Sequence, residues 1–485
     1  MTAYHIHNNR FSACSQVSAI AEKGICVNNP SMNKRSKIAI LGFGVEGKAV
    51  LDYLVKHNYS DITVCDQDVE IKAKLPNGVS SRLGHDVYLE GLEGFDVIFR
   101  SPGIKFLTPQ VQLAISEKTE VKSCVKFFID QCPCPVIGIS GTKGKGTTST
   151  LIHKMLLEGG HNSHLGGNIG DPPITFLDEL TGKDVVVLEL SSFQLQDLEK
   201  SPHYAVLLNT TTDHLDYHRD REEYMEAKES LLAHQGKNCV AVMNKDYKYA
   251  EYYETLVAGK LLLVSRKNEV KDGAYEKDGV VYYCKGGSCS EIVGASEIGL
   301  IGSHNLENVM PAIVIAKEFK VKDVAIVKVL REFKGLPHRL EFVREVSGVK
   351  YYNDSFSTTT ETSMAAVDSF DQPTILIAGG SDKGLNYEEW ARKILTKKSL
   401  KSVILIGAVT DKMENALMAA EKGIGKPVHV KILRKADLAE AVIEACAEAS
   451  EGWVVVMSPA AASFDMFKNY KERGGKFREI VRILI

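Results

Sequence analysis

Short apolar runs alternate three times along the chain with stretches whose apolar residues recur at helical spacing, and the alternation predicts strands covered by helices. The first series opens at Lys37-Ile-Ala-Ile-Leu-Gly-Phe-Gly44 and continues with strands at Ile62–Cys65 and Val97–Arg100. The second opens at Pro135–Ser140 and runs through Val185–Leu190, Ala205–Asn209, Val240–Asn244 and Leu261–Ser265. The third has strands at Thr374–Ala378, Val403–Ile406, Val428–Ile432 and Trp453–Met457. Pro133, Pro135 and the Gly335-Leu-Pro337 tripeptide separate the series. The pattern reads as an α/β chain of three domains, residues 36–133, 134–337 and 338–485, behind a polar extension of residues 1–35.

Length supports that division, because 485 residues exceed one ordinary core. Hydrophobic residues at 44% and charged residues at 25% are proportions of a globular protein in water. The net charge of −3 argues against a polybasic nucleic-acid surface, so anionic ligands must be held by local sites. No apolar run reaches membrane-spanning length, so no membrane insertion is expected. Residues 1–34 lack the apolar core of a signal peptide, and Met32 offers an alternative start of translation. The ten cysteines include no CxxC, and Cys132-Pro-Cys134-Pro has no further ligands at metal spacing. Reduced thiols in a cytoplasmic protein are the expectation.

Candidate chemistry begins where strand 135–140 enters Gly141-Thr-Lys-Gly-Lys-Gly-Thr-Thr148, followed by a helix with Leu151, Ile152, Met155 and Leu156 on one face. A strand, a Gly-rich loop and a helix N-terminus form an anion site, since free N–H groups and the helix dipole both face the ligand. Residues Gly141, Thr142, Lys143, Gly144, Lys145, Gly146, Thr147 and Thr148 would wrap ATP phosphates. Lys145 would reach the terminal phosphates, and Thr147 or Thr148 would meet magnesium. The loop is not a standard P-loop, because Ile139 stands at that motif's first Gly. Val185-Val-Val-Leu-Glu189 delivers a carboxylate at the end of a buried strand, costly unless paired or metal-bound, and beside a phosphate loop a magnesium ligand is the economical assignment. Further on, Asp220 and Glu223 start a helix on which Lys228 is flanked by Tyr224, Met225, Leu231 and Leu232. Such a lysine either snorkels or is desolvated into a neutral amine that can take up carbon dioxide. In the first series, Gly42-Phe-Gly-Val-Glu-Gly47 after a strand, with Asp66 after the next, imitates a dinucleotide fingerprint and by itself would suit an NAD-dependent dehydrogenase.

Taken together, Gly-Thr-x-Gly-Lys with its hydroxyls, Glu189-Leu-Ser-Ser-Phe-Gln-Leu195, Asn209-x3-Asp-His-Leu-Asp216, Gly302-Ser-His-Asn-Leu-Glu-Asn308 and Ser458-Pro-Ala-Ala-Ala-Ser-Phe-Asp-Met-Phe467 resemble the Mur ligase and folylpolyglutamate synthase superfamily, and within it the D-glutamate-adding Mur ligases. The resemblance covers roughly residues 36 to 485 with its motifs in order. It implies a Rossmann-like first domain for a UDP-substrate, a central P-loop-type ATPase domain and a Rossmann-like third domain for the amino acid. The implied reaction joins D-glutamate to UDP-N-acetylmuramoyl-L-alanine through an acyl phosphate, with ATP and two magnesium ions, in a monomer without nucleic-acid partners. The resemblance makes Lys145, Glu189, His214 and Lys228 catalytic, with Thr147, Glu189, His214 and a carbamylated Lys228 holding metal. Asn305, Asn308, Arg339 and Asp354 join the ATP site. Gly44, Val45, Asp66, Ser101, Gly103, Asn168, His338, Thr358, Lys383, Ser463 and Tyr470 become substrate-binding candidates. An amide ligase of another Mur or folylpolyglutamate type, with a different acceptor or amino acid, is the alternative. Two departures stand out: Gly146 separates Lys145 from the hydroxyls, and Phe356 follows Asn-Asp-Ser where the family often has Lys.

Overall fold

The computed structural model describes residues 32–211, 217–424 and 430–485. His214 and the first two residues of the strand expected at 428–432 lie outside the described residues. Among the described residues twenty strands form three sheets. The first sheet holds β1 (Ile38–Leu41), β2 (Ile62–Asp66), β3 (Ser80–Leu83), β4 (Val97–Arg100) and β5 (Glu120–Lys122), all parallel, in the order β3-β2-β1-β4-β5. The second holds β6 (Val136–Ser140), β7 (Ser163–Gly167), β8 (Val185–Glu189), β9 (Tyr204–Leu207), β10 (Val240–Asn244), β11 (Lys260–Ser265), β12 (Gly273–Lys277), β13 (Val280–Lys285) and β14 (Ser288–Gly294). Its order is β14-β13-β12-β11-β10-β9-β6-β8-β7, parallel except for the last two strands of the chain order, which meander back antiparallel. The third holds β15 (Glu341–Val346), β16 (Val349–Asn353), β17 (Thr374–Gly379), β18 (Leu400–Ile406), β19 (Lys431–Arg434) and β20 (Val454–Met457), ordered β15-β16-β20-β17-β18-β19, with only β15 antiparallel.

The chain packs as two compact units: residues up to Glu297 with Leu306–Leu330, and Ile298–Asn305 with Arg331–Ile485. The first unit contains the first two sheets, and one apolar core runs between them, from Val50, Phe99 and Phe127 to Val136, Ile174, Val186 and Leu188. β8 is buried along its whole length, which a Val-Val-Val-Leu run achieves because helices cover both faces of a parallel sheet. In the second unit, β17 divides its side chains between two cores: Leu376 packs with Trp390 and Val403, while Ile375 and Ile377 pack with Ile404 and Phe477.

One expectation about the cysteines is corrected here. Cys284 and Cys289 form a disulfide, because the β13–β14 register sets them opposite each other with Cα atoms 4.1 Å apart. Cys65, Cys124, Cys132, Cys134 and Cys446 are free thiols.

Candidate active site

The phosphate loop is built as strand, turn and helix. β6 ends at Ser140, and the helix Lys145–Glu158 starts with Lys145, so Gly146, Thr147 and Thr148 form its first turn, where N–H groups have no helical partner. Gly144 caps that helix at φ +88°, and a Cβ there would overlap Asn308 Oδ1, so neither backbone nor space admits a side chain. Asn308, which begins two residues into the helix Leu306–Glu318, is thereby brought to the loop. Thr142 anchors the loop: its N–H donates to Asn209 O at 2.7 Å and its hydroxyl lies 2.9 Å from Tyr224 Oη. Lys145 Nζ donates to Gly141 O at 2.9 Å and Thr142 O at 3.1 Å. Of the two candidate hydroxyls, that of Thr148 donates to Asn308 O at 3.3 Å, which leaves Thr147's as the uncommitted one.

Glu189 closes β8, and Asn168 grips it twice: Nδ2 donates to Glu189 Oε1 at 3.0 Å and the backbone N–H donates to Glu189 O at 2.8 Å. Asn168, expected among the substrate contacts, therefore orients the candidate metal ligand. Lys228 is 1% exposed, so it does not snorkel. Its Nζ donates to Ser140 Oγ at 3.3 Å and Gly141 O at 3.2 Å, and lies 4.6 Å above the Tyr224 ring. The helix carrying it, Arg221–Glu229, is capped by Asp220 as expected, Oδ1 accepting from Glu223 N at 2.9 Å. Glu223 does not return the favour to the cap residue. Its carboxylate accepts from Arg219 N and Gln196 Nε2 and meets His218 Nδ1, while His218 Nε2 meets Ser192 Oγ at 2.9 Å. Among the described residues no three His, Cys, Asp or Glu side chains converge as a metal cluster. A lone carboxylate beside a hydroxyl and a phosphate loop still fits magnesium, which takes one or two protein oxygens and completes its shell with phosphates and water.

The first sheet supplies a Gly turn of the fingerprint type. A Cβ on Gly47 would overlap Gly42 O, so the helix Val45–Lys56 can pack this close to the turn only without one. Gly42 O accepts from Ser101 Oγ at 2.7 Å, which joins two of the candidate segments. Gly44 and Gly103 border open space, and Val45 is exposed. Asp66 is committed to the backbone, Oδ2 accepting from Phe43 N at 2.6 Å and Oδ1 from Asp68 N at 2.9 Å. It holds the turn's shape, the place a dinucleotide's ribose would need.

In the second unit, Asn305 lies in the short turn before the helix and donates to Ile301 O at 2.7 Å. His338 has φ +64°, its N–H donating to Glu341 Oε2 and its Nδ1 lying 3.0 Å from Asn353 Nδ2; burial holds the imidazole pKa below its ordinary value. Asp354 is buried, and burial pushes its carboxyl up to about 6. Oδ1 accepts from Leu340 N and Oδ2 from Ser458 Oγ, so this carboxylate, expected at the ATP ribose, fastens the 338–340 turn to the segment that follows β20. Arg339 lies 4.5 Å over the Phe356 ring, and Tyr470 meets Phe356 and His338 edge-on. Thr358 N donates to Phe356 O, Ser463 is buried, and Lys383 Nζ is 5.7 Å from the Phe464 ring.

Sequence models of three domains match in order: the Mur ligase MurD-like N-terminal domain over residues 36–123, the Mur ligase middle domain over 139–316, and the Mur ligase glutamate ligase domain over 338–461. A protein of Acetivibrio thermocellus named UDP-N-acetylmuramoylalanine–D-glutamate ligase is 39% identical over 92% of this chain and 96% of its own length. The chain belongs to the Mur ligases. Proteins of the same name from Ruminiclostridium cellulolyticum and Clostridium acetobutylicum are 37% and 38% identical, each over 93% of this chain and 97% of the relative. Mur ligases are also its structural neighbours. MurF ligase of Thermotoga maritima, solved in complex with ADP, aligns with a TM-score of 0.56 at 15% identity over 92% of this chain and 95% of that one. UDP-N-acetylmuramate-alanine ligase MurC of the same organism aligns at 0.54 and 17% over 92% and 99%. Like the rest of its family the chain is an ATP-dependent amide ligase, and no helix among its described residues is long and apolar enough to cross a membrane.

Sequence reasoning missed four buried or bridging residues among these candidate segments. Ser140 links Lys228 to β8, its hydroxyl donating to Leu190 O at 2.9 Å. His218 holds Ser192. Arg100 and Arg473 are fully buried cations. Arg100 had a signal, a charge closing the apolar strand Val97-Ile-Phe-Arg100 just as Glu189 closes β8. Arg473 had none, sitting among charged residues on the helix Tyr470–Ile483.

Proposed function

We propose that this Mur ligase adds D-glutamate to UDP-N-acetylmuramoyl-L-alanine. The observation that carries the reading is identity of 37–39% over nearly full length to proteins bearing that name. The alanyl carboxylate oxygen attacks the γ-phosphorus of ATP and ADP departs, leaving an acyl phosphate. The D-glutamate nitrogen then attacks the acyl carbon, phosphate leaves, and the nitrogen loses a proton. Residues 36–133 would hold the UDP part through Gly44, Val45, Ser101 and Gly103. Residues 134–337 would hold ATP through Gly141–Thr148, Asn305 and Asn308. Residues 338–485 would hold the amino acid through His338, Thr358, Lys383, Ser463 and Tyr470, with Arg339 on phosphate.

Lys145 is assigned to the transferred phosphoryl group, where a fixed cation stabilises charge as it builds up. Thr147, Glu189 and Lys228 as a carbamate would hold magnesium, and the uncommitted Thr147 hydroxyl and the placement of Glu189 and Lys228 around β6 and β8 support that set. Lys228 would form the carbamate by adding carbon dioxide to its neutral amine and losing a proton. Magnesium bound there would offset the phosphate charge that otherwise repels an attacking carboxylate.

The test is phosphate release from ATP with UDP-N-acetylmuramoyl-L-alanine and a panel of D-glutamate, L-glutamate, D-aspartate, L-lysine and meso-diaminopimelate. D-glutamate is expected to drive release best; any other winner overturns the substrate assignment. Lys145→Ala should unfold at the wild-type temperature yet lose about 100-fold or more in kcat. Near-normal turnover would remove Lys145 from the mechanism.

A further inference from the structure

Arg100 ends β4, the strand that leads into Ser101–Gly103, and its side chain is entirely shielded from solvent. Nη1 donates to Ile104 O at 2.7 Å and to Tyr217 Oη at 3.1 Å. Nη2 donates to Phe193 O at 2.8 Å and lies 3.7 Å from Asp197 Oδ1. Tyr217 Oη donates in turn to Ile104 O at 2.9 Å. One guanidinium thus joins the loop after β4, in the first sheet, to the single-turn helix Ser192–Leu195, which begins three residues after Glu189 in the second.

That turn is held from other sides as well. Ser191 caps it in a reciprocal box, Gln194 Oε1 accepting from Ser191 N at 3.1 Å. Gln194 Nε2 reaches across to Glu46 Oε1 in the Gly turn of the first sheet. His218 holds Ser192, and Asp197 accepts from Ser123 N. The contacts from the first sheet therefore converge on residues 193–197, immediately behind the candidate magnesium carboxylate, and that of Arg100 on their backbone. A planar fork suits this task, since its two ends meet carbonyls of two separate segments in fixed directions, which the rotatable donors of a compact ammonium do not set.

We propose that Arg100 is a positioning residue of the ligase: it sets the turn behind Glu189 relative to the Ser101–Ile104 loop, and so fixes the carboxylate's aim at the metal of the ATP site. The inference rests on the ligase reading above, but metal binding tests it without turnover. The measurement is a Mn2+ titration of the ADP-bound full-length protein by electron paramagnetic resonance, for wild type, Arg100→Lys, Arg100→Met and Tyr217→Phe, alongside the Mg2+ dependence of phosphate release. Arg100→Met should weaken Mn2+ binding and raise the half-saturating Mg2+ about tenfold or more, as losses behind a metal ligand do. Arg100→Lys, which keeps the charge and one anchor, should recover part of the loss. Tyr217→Phe removes two hydrogen bonds, the one from Arg100 Nη1 and the one to Ile104 O, without emptying the cavity, so it keeps the test open should Arg100→Met fail to fold, and it should shift Mn2+ binding about threefold in the same direction. The KM for the amino acid, whose candidate residues lie in the other unit, should change by less than about twofold. Folded variants with wild-type Mn2+ curves would reduce Arg100 to a structural residue and overturn the proposal, whatever happens to activity. A wild type that binds Mn2+ and ADP but does not turn over D-glutamate would instead sink the substrate reading and leave the Mn2+ comparison to decide Arg100.

Discussion

Two arginines, one in each unit, are buried to the same degree and treated in opposite ways. Arg473 is surrounded by neutral oxygens: Nε donates to Ser355 Oγ, Nη2 to Ser355 O, and Nη1 to Ala461 O and Ala462 O. Four bonds tie the Asn353-Asp-Ser355 segment to the 458–463 segment, and the cost appears in the cation itself, whose pKa burial pulls down to about 10. Around Arg100 the cost falls on the anions. Asp197 Oδ1 and Glu46 Oε2 are buried without hydrogen bonds, as is Arg100 Nε. Burial pushes the Glu46 carboxyl up to about 7, despite its bond from Gln194 and the nearby guanidinium. The second unit is thus clasped by a group that keeps its charge throughout the physiological range. The first is clasped by a cluster that changes charge within it.

The largest effect is expected at Arg473. Arg473→Met removes four hydrogen bonds, leaves Ser355 O and Ala461 O unsatisfied in the interior, and should destabilise the second unit by about 4 kcal/mol. Denaturant unfolding, followed by hydrogen exchange in β17 and β20, measures it, and a loss under about 1 kcal/mol would end the parallel between the two arginines.

A smaller, pH-dependent effect is expected at Glu46. The folded state holds this proton more tightly than the unfolded chain, where the carboxyl has its ordinary value of 4.5. Its contribution is therefore full below about pH 4.5 and declines as pH rises through 7, by at most ~3 kcal/mol. Stability of the first unit measured from pH 5 to 8.5 should show that decline, and Glu46→Gln should flatten it. A slope that survives the substitution belongs to some other group.

The smallest effect is expected at Phe356, half exposed beneath Arg339. Phe356→Leu should cost about 0.5–1 kcal/mol with no pH dependence, checked in the same unfolding assay. A larger loss would mean that surface stacking, rather than Arg473, carries much of the second unit's cohesion.

What was legible in the sequence follows from what each interaction depends on. β1, β6, β8, β9, β10, β17 and β20 are apolar on both faces because they lie inside parallel sheets, and such runs are visible without any partner. β3, β5, β7 and β12 to β16 were missed; of these Ser80-Ser-Arg-Leu83, Glu120-Val-Lys122 and Ser288-Cys-Ser-Glu291 are largely exposed and carry no such run. Of the strand expected at 428–432, the described residues show Lys431 and Ile432 in a strand that continues to Arg434. The phosphate loop was legible because its chemistry is local in sequence, from Ser140 through Thr148. The grip of Asn168 on Glu189 and of Arg100 on Phe193 was not. Both act on groups 21 and 93 residues away, and Phe193 contributes only a carbonyl that every residue possesses.

The hairpin of β13 and β14 closes one side of the nine-stranded sheet. A sheet margin ordinarily offers unpaired N–H and C=O groups to any passing strand, and so invites association between copies of a protein. Here the register shifts at Val281/Tyr282, which skews the ribbon, while the outermost strand shows Ser288, Ser290 and Glu291 to water and is cross-linked near its turn by Cys284–Cys289. The margin is kinked, hydrophilic and tied down, so the sheet stops growing at its ninth strand.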